Sequence, residues 1–292
     1  LHLSIRLQSQ MWIRDSARRG RVIAIYQGTF IFAVGIGPFP GGLLAHHYGL
    51  LAPFWFCGFA SLIAGSLALF AVPETRHLAQ AKVITGTKLP PLPAQLKMLW
   101  KNIGFVLVSG VALSHALTRT GGLFNIIPII GSFRIQLPYD QIGIALAIGS
   151  LLGLCAVYPA GMAVDRWGRK SVIVPFTIIT GASFLLFAFA DTFLLFAAAN
   201  VVWGIASGIG GSAPAAYAAD SAPPGMNASA MSLFRMLGDI GYVVGPILMG
   251  IIVDIHGANT ALFLATFILF SIGIAFARFA PCLLYTSDAA DE

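Results

Sequence analysis

Eight apolar stretches, each about the length of a membrane span, divide this chain at roughly 22–45, 52–72, 103–130, 141–163, 171–190, 193–218, 229–253 and 260–279. About 20 helical residues cross a bilayer core of about 30 Å. A backbone in lipid must also satisfy its own hydrogen bonds, which a continuous helix does within itself. A water-soluble core does not fit the composition. Hydrophobic residues make up 58% of the chain and charged residues 10%, against roughly a quarter charged in soluble domains. The sequence therefore reads as an all-α polytopic membrane protein with about eight transmembrane helices.

Charge placement orients the spans. If the segment before the first span is cytoplasmic and the spans alternate, the inner segments hold Arg18, Arg19, Arg21, Arg76, Lys82, Lys88, Lys97, Lys101, Arg166, Arg169, Lys170 and Arg278. The outer loops hold Arg134 alone. This is the excess of inner Lys and Arg that sets the topology of helical membrane proteins. It accounts for the net charge of +6 without a nucleic-acid surface, which needs basic residues interleaved with aromatics on one face. Cys57 and Cys155 lie within spans and Cys282 in the tail, so no disulfide framework, metal cluster or cofactor is expected.

The ends differ from the rest. The tail "CLLYTSDAADE", residues 282–292, reads as a translated sequencing-library adapter, and "RLQSQMWIRDS" within residues 1–16 resembles the opposite adapter. The expected biological sequence is an internal gene fragment from about Ala17 to Pro281. A shift of 208 residues places Gly37-Pro38 on Gly245-Pro246, Gly42 on Gly250 and Gly49 on Gly257. Such internal repeats mark many secondary transporters. A six-helix unit would make 17–72 the last two helices of one bundle and 102–281 all six of a second. The polar, basic stretch 73–101 would be a cytoplasmic linker, with Pro90, Pro91 and Pro93 favouring extended structure.

The loop after the fourth run, "GMAVDRWGRKS", holds one acid and three bases between Asp165 and Lys170. With Gly161, Asp165, Arg166, Gly168, Arg169 and Lys170 in register, it resembles the G-x-x-x-D-R-x-G-R-K loop of the major facilitator superfamily, and "VPET" at 72–75 is a second cue. The resemblance covers about 17–281 and implies a helical bundle of that type. There the loop would latch one cytoplasmic arrangement of the bundles and release in the other. Asp165 can pair with neighbouring bases or face the positive end of a helix; the bases can also merely enforce topology.

"GIGPFPGG" at 35–42 sets four glycines and two prolines inside an apolar run. In lipid, small residues let backbones approach closely and prolines are tolerated. Gly37, Pro38, Gly41 and Gly42 resemble the G-P-x-x-G-G signature in the fifth helix of exporter and antiporter branches. Ala33 and Ala24 stand where the fuller pattern has glycine. The repeat adds Gly245, Pro246 and Gly250 as packing residues.

Ionisable groups inside spans are costly and mark functional candidates. Arg235 and Asp239 lie four apart, so they share a helix face and can pair, either structurally or with Asp239 as a proton carrier. His115 and Arg119 are also four apart, ahead of Gly121-Gly122, which can interrupt the helix. His115, Arg119 and Asn125 are candidates for substrate or anion contact. Asp220 reads as an inner loop contact, and His46-His47 as interfacial, at an outer edge without acidic company.

Taken with the resemblance, these features imply a secondary transporter of small organic solutes, exporting by proton-coupled alternating access, with uptake symport of sugars or organic acids as the alternative. It would act as a monomer when full length, in the bacterial inner membrane. A membrane-embedded enzyme is a remote reading, because the sequence holds no H-E-x-x-H, G-x-S-x-G or G-x-G-D motif and no catalytic residues are assigned.

Overall fold

The computed structural model describes residues 33, 36–71, 90–211, 213–223 and 226–282. Residues 1–16, most of the first apolar run, the connector 72–89 and the tail 283–292 lie outside the described residues, and with them Arg18, Arg19, Arg21, Arg76, Lys82 and Lys88. The described elements are α1 (Pro38–Tyr48), α2 (Ala52–Ala71), α3 (Leu92–Lys101), α4 (Ile103–Thr118), α5 (Tyr139–Trp167), α6 (Arg169–Ala188), α7 (Phe193–Gly210), α8 (Ala213–Asp220), α9 (Asn227–His256) and α10 (Ala258–Phe279). Seven of the described helical segments are long and apolar enough to cross a membrane, and they coincide with the second to eighth apolar runs. The chain is an all-helical integral membrane protein.

The helices associate in pairs. The most extensive contact joins α5 to α7; α6 packs on α10 and on α7, α4 on α9, and α1 on α5. Small residues make these approaches possible. A Cβ added at Gly204 would overlap the carbonyl of Gly149, and one at Gly208 that of Gly153, so backbones of α5 and α7 touch over two turns. Gly241 and Gly245 of α9 meet the carbonyls of Leu113 and Leu117 on α4 in the same way. Gly42 of α1 faces Tyr139, and Gly143 of α5 faces the Pro38 carbonyl. Lipid tails are as apolar as leucine, so close van der Waals contact is the main attraction left between helices.

Three of the proposed packing residues are placed differently. A Cβ at Gly41 or at Gly250 would meet nothing within 4 Å, and one at Gly37 would meet only Ala33 of its own helical segment. The crossings use Gly42 on one side of the repeat and Gly245 on the other, because the two helices present different faces to their neighbours. Pro246 lies inside the continuous α9.

The repeat is visible in the turns. Gly49 between α1 and α2 has φ 87°, ψ 166°, and Gly257 between α9 and α10 has φ 84°, ψ 165°. Gly168, the single residue between α5 and α6, adopts the same conformation at φ 78°, ψ 160°. Positive φ with extended ψ is accessible in practice only to glycine, so one residue can end one helix and start the next.

Two helical irregularities depart from expectation. Gly121-Gly122 does not interrupt its helix; α4 continues as π-helix over Arg119–Ile126, and again over Ile130–Arg134. A Cβ on Gly121 would strike Met249 and the Gly245 backbone, and one on Gly122 the Phe184 ring, so these glycines make room for neighbours. In the sixth run α7 ends at Gly210 and α8 begins at Ala213, with Gly211 between them in helical φ and ψ. The connector differs as well. Pro91 is extended as expected, at φ −58° and ψ 148°, but it caps α3 and Pro93 lies in that helix's first turn, so the end of the connector is helical. The first turn has no N–H partners to lose and suits proline. Leu99 and Gln95 of α3 are buried, and Gln95 accepts a bond from Ser229 Oγ at 2.5 Å.

α2 packs chiefly on α1, and its large side chains, Phe54, Trp55, Phe59 and Leu62 among them, are exposed. Buried side chains elsewhere form two apolar clusters. One gathers Phe184, Phe187, Phe196 and Leu262, and the other Phe105, Ile173, Tyr217 and Phe276.

Replacing Gly204 by Ala should force α5 and α7 apart and lower unfolding stability by about 1–3 kcal/mol, as overpacking does. Gly250→Ala, with open space around it, should stay within about 0.5 kcal/mol of the parent. Unfolding of both variants in detergent, followed by circular dichroism, checks the contrast.

Candidate functional site

Between the two apolar clusters lies a cavity of about 590 Å³ whose wall is drawn from α4, α6, α7, α8 and α9. Four of the five ionisable or amide candidates converge on it. His115 and Arg119 line it from the segment of α4, and Arg235 and Asp239 from α9. The helical spacing of four residues puts each pair on one face, and the Gly241 and Gly245 crossing holds that face of α9 against α4. Trp203, Ser207 and Gly210 of α7, Gly211 just beyond it, and Pro214 and Ala215 of α8 complete the wall with Thr177 and Thr180 of α6.

The candidates are engaged differently. His115 Nε2 lies 3.1 Å from the Thr177 hydroxyl, joining α4 to α6. The Arg119 guanidinium lies 5.4 Å from the Phe124 ring centroid and 5.8 Å from that of Trp203. Its Nε is buried without a hydrogen-bond partner. Arg235 and Asp239 are both exposed to the cavity, and no ion pair closes between them among the described residues. Asn125 does not face the cavity. It is exposed and donates through Nδ2 to the Thr120 carbonyl at 2.5 Å, within its own π-helical turn.

The inner loop is built around helix ends. Gly168 turns the chain sharply, and Arg169 and Lys170 then reach across to neighbours. Arg169 donates to the Ala216 carbonyl and pairs with Asp220 at the end of α8. Lys170 Nζ donates to the Ala280 carbonyl, just past α10, at 2.6 Å. Cations at helix C-termini meet both free carbonyls and the negative end of the dipole. Arg166 and Gly161 are exposed, and the Asp165 side chain lies outside the described part of the structure. Asn102, whose Nδ2 donates to the Ser221 carbonyl at 2.7 Å, and Tyr217, whose hydroxyl donates to the Pro281 carbonyl at 2.7 Å, add to the same inner layer.

Other functional contacts carried little sequence signal. Arg134, the lone outer base, donates to the carbonyls of Phe187, Ala188 and Ala190 and to Asn259 Oδ1, and lies 3.6 Å from Asp191. It closes the outer end of α6 onto α10, which accounts for a base on the outer side. His46 has an acidic neighbour, contrary to expectation: its Nδ1 lies 3.7 Å from Asp140 Oδ1, across the outer end of the α1–α5 crossing. Nearly 100 residues of sequence separate the two, so only the packing of α1 brings them together. The Gly149/Gly153 and Gly204/Gly208 spacings, G-x-x-x-G on both helices, could have revealed the α5–α7 crossing from sequence.

A cysteine-scanning experiment checks the cavity wall. Cys57, Cys155 and Cys282 are all exposed and must first be changed to Ser. In that background Ser207→Cys and Ala215→Cys should react with a small polar thiol reagent, and Ala199→Cys, at a fully buried position, should not.

Comparison with known proteins is consistent with this architecture. The model of the Major Facilitator Superfamily matches residues 9–139 and 111–290. An uncharacterized MFS-type transporter of Methanocaldococcus jannaschii is 27% identical over 256 residues, 87% of this chain and 65% of its own length. Multidrug resistance protein 2 of Bacillus subtilis is 26% identical over 148 residues, 50% of this chain and 36% of that protein. The arabinose-proton symporter of the same organism is 26% identical over 98 residues, 33% of this chain and 21% of its own length. The chain thus spans about two thirds of the first of these relatives and a smaller part of the others. With seven described spanning helices and a family model that matches most of its length, the chain belongs to the Major Facilitator Superfamily.

Proposed function

We propose that this chain is the C-terminal two thirds of a secondary active transporter that exports small organic solutes across a prokaryotic cytoplasmic membrane in exchange for protons. The observation that carries the reading is the single cavity on which His115, Arg119, Arg235 and Asp239 converge from two helices. Ionisable side chains are retained inside a membrane where they bind solute or relay protons. In this reading residues 17–72 end one bundle, 102–281 form the second, and the solute sits between them. Rocking of one bundle against the other then exposes the cavity alternately.

Export is supported by the G-P-x-x-G-G helix and by the multidrug resistance relative. The arabinose-proton symporter among the relatives supports uptake as a second reading. Asp239 is the proposed proton carrier: it is the acid on the cavity wall and has no ion-pair partner among the described residues. The Arg169–Asp220 pair and the Lys170–Ala280 bond are the proposed inner latch. They join α6, α8 and α10 at the inner end and would break as that end opens.

Transport by the whole protein in everted membrane vesicles tests both roles. Asp239→Asn should abolish proton-driven accumulation while leaving solute counterflow, which needs binding but no proton. Accumulation equal to the parent's would remove Asp239 from the mechanism. For the latch, Arg169→Glu should slow transport, and Arg169→Glu with Asp220→Arg should recover much of it. Failure of the double variant to exceed the single one would show that the charge pair is not what acts.

A further inference from the structure

Arg119 leaves a positive charge over in the cavity. Of the ionised side chains on the wall, Arg235 and Asp239 offset one another in formal charge, and no acid balances Arg119. Among the described residues the ion pairs are His46–Asp140, Arg134–Asp191 and Arg169–Asp220, all outside the cavity. His115, one turn earlier, is engaged with Thr177. Arg134 and Arg169 are tied to carbonyls and an acid at helix ends, whereas the Arg119 Nε is buried without a partner.

A guanidinium carries five N–H donors and stays charged throughout the accessible pH range. Held at membrane depth without an anion it is costly. The two aromatic rings recover part of that cost through their faces, but rings accept none of the in-plane N–H bonds. A carboxylate does, in bidentate geometry. Trp203, in contact with Arg119 and 7% exposed, lines the same cavity, as do Val111, Ile173 and Phe234. These surfaces suit an apolar or aromatic body. A cationic solute would need acid in excess, and the wall has base in excess.

We propose that the cavity takes a small organic anion, its carboxylate bound by Arg119 and its apolar body laid against Trp203. The proposal rests on the transporter reading only in treating this ligand as the transported solute; binding itself needs no transport.

Trp203 is a built-in reporter. The chain in detergent is titrated with benzoate, benzamide and benzylamine, three probes of similar size carrying negative, zero and positive charge, while tryptophan fluorescence is followed. Benzoate should quench saturably, and Trp203→Phe should remove that signal. Arg119→Gln should weaken benzoate binding at least about tenfold, the loss expected for a charge-assisted bond, and Arg119→Lys, which keeps the charge, should fall between. Acetate at equal concentration should displace little, since it lacks the apolar body.

Benzamide or benzylamine binding as tightly as benzoate would overturn the proposal. So would unchanged benzoate binding in an Arg119→Gln chain with parental circular dichroism. Should that variant not fold, the charge series on the parent and the Arg119→Lys affinity decide alone. Arg119-dependent benzoate binding with no solute movement by the whole protein would keep this inference and remove the transporter reading. Transport of neutral or cationic solutes, unaffected by Arg119→Lys, would do the reverse.

Discussion

Backbone-to-backbone contact between helices is the interaction on which this structure depends. Inside a bilayer, burying one apolar side chain against another gains little over burying it in lipid, so association relies on dense contact and on hydrogen bonds between helices. Glycine supplies the first by removing the side chain from the crossing point. The Gly149/Gly204 and Gly153/Gly208 pairs bring α5 and α7 into backbone contact, and Gly241 and Gly245 do the same for α9 on α4. Trp203 immediately precedes Gly204, and Asp239 lies two residues before Gly241. The same crossings that hold the bundle together thus aim the aromatic and acidic walls of the cavity.

Six of the charged residues in the described structure fall into two groups. Arg134, Arg169 and Lys170 are spent on the ends of helices, where carbonyls without an intrahelical partner await a donor and the dipole favours a cation. They fasten α6 to its neighbours at both membrane faces. Arg119, Arg235 and Asp239 have no such duty and face the cavity. The π-helical widening that starts at Arg119 falls where α4 must accommodate both the α9 backbone and the Phe184 ring beside Gly121 and Gly122. Widened turns of this kind are often found at functional sites.

How a membrane protein is read from its sequence follows from which of its properties lie along the chain. Span length is a linear feature, and the second to eighth apolar runs were legible as spans. So was the clustering of His115 with Arg119 and of Arg235 with Asp239, because four-residue spacing on a helix is itself a geometric statement. Asn125 was not: its π-helical turn carries it away from the cavity and onto the Thr120 carbonyl. The expected break at Gly121-Gly122 was also misplaced. Glycine pairs serve equally for flexibility and for close packing, and only the neighbour across the gap, Gly245 beside Gly121 and Phe184 beside Gly122, decides which.

The sequence alone determined that this chain is a helical membrane protein of the Major Facilitator Superfamily type, with its spans where the apolar runs lie. Bilayer thickness acts on each segment separately, so no partner is needed to read it. Tertiary structure alone decided that Gly42 and Gly245, rather than Gly37 and Gly250, stand at crossings, that His46 meets Asp140, and that Arg119 rests against Trp203 with its Nε unpaired. A helix surrounded by lipid is apolar on nearly every side, so its sequence carries little of the hydrophobic contrast that marks the buried face of a soluble helix. Which way each helix turns is left to shape, and shape exists only once the neighbouring helix is in place.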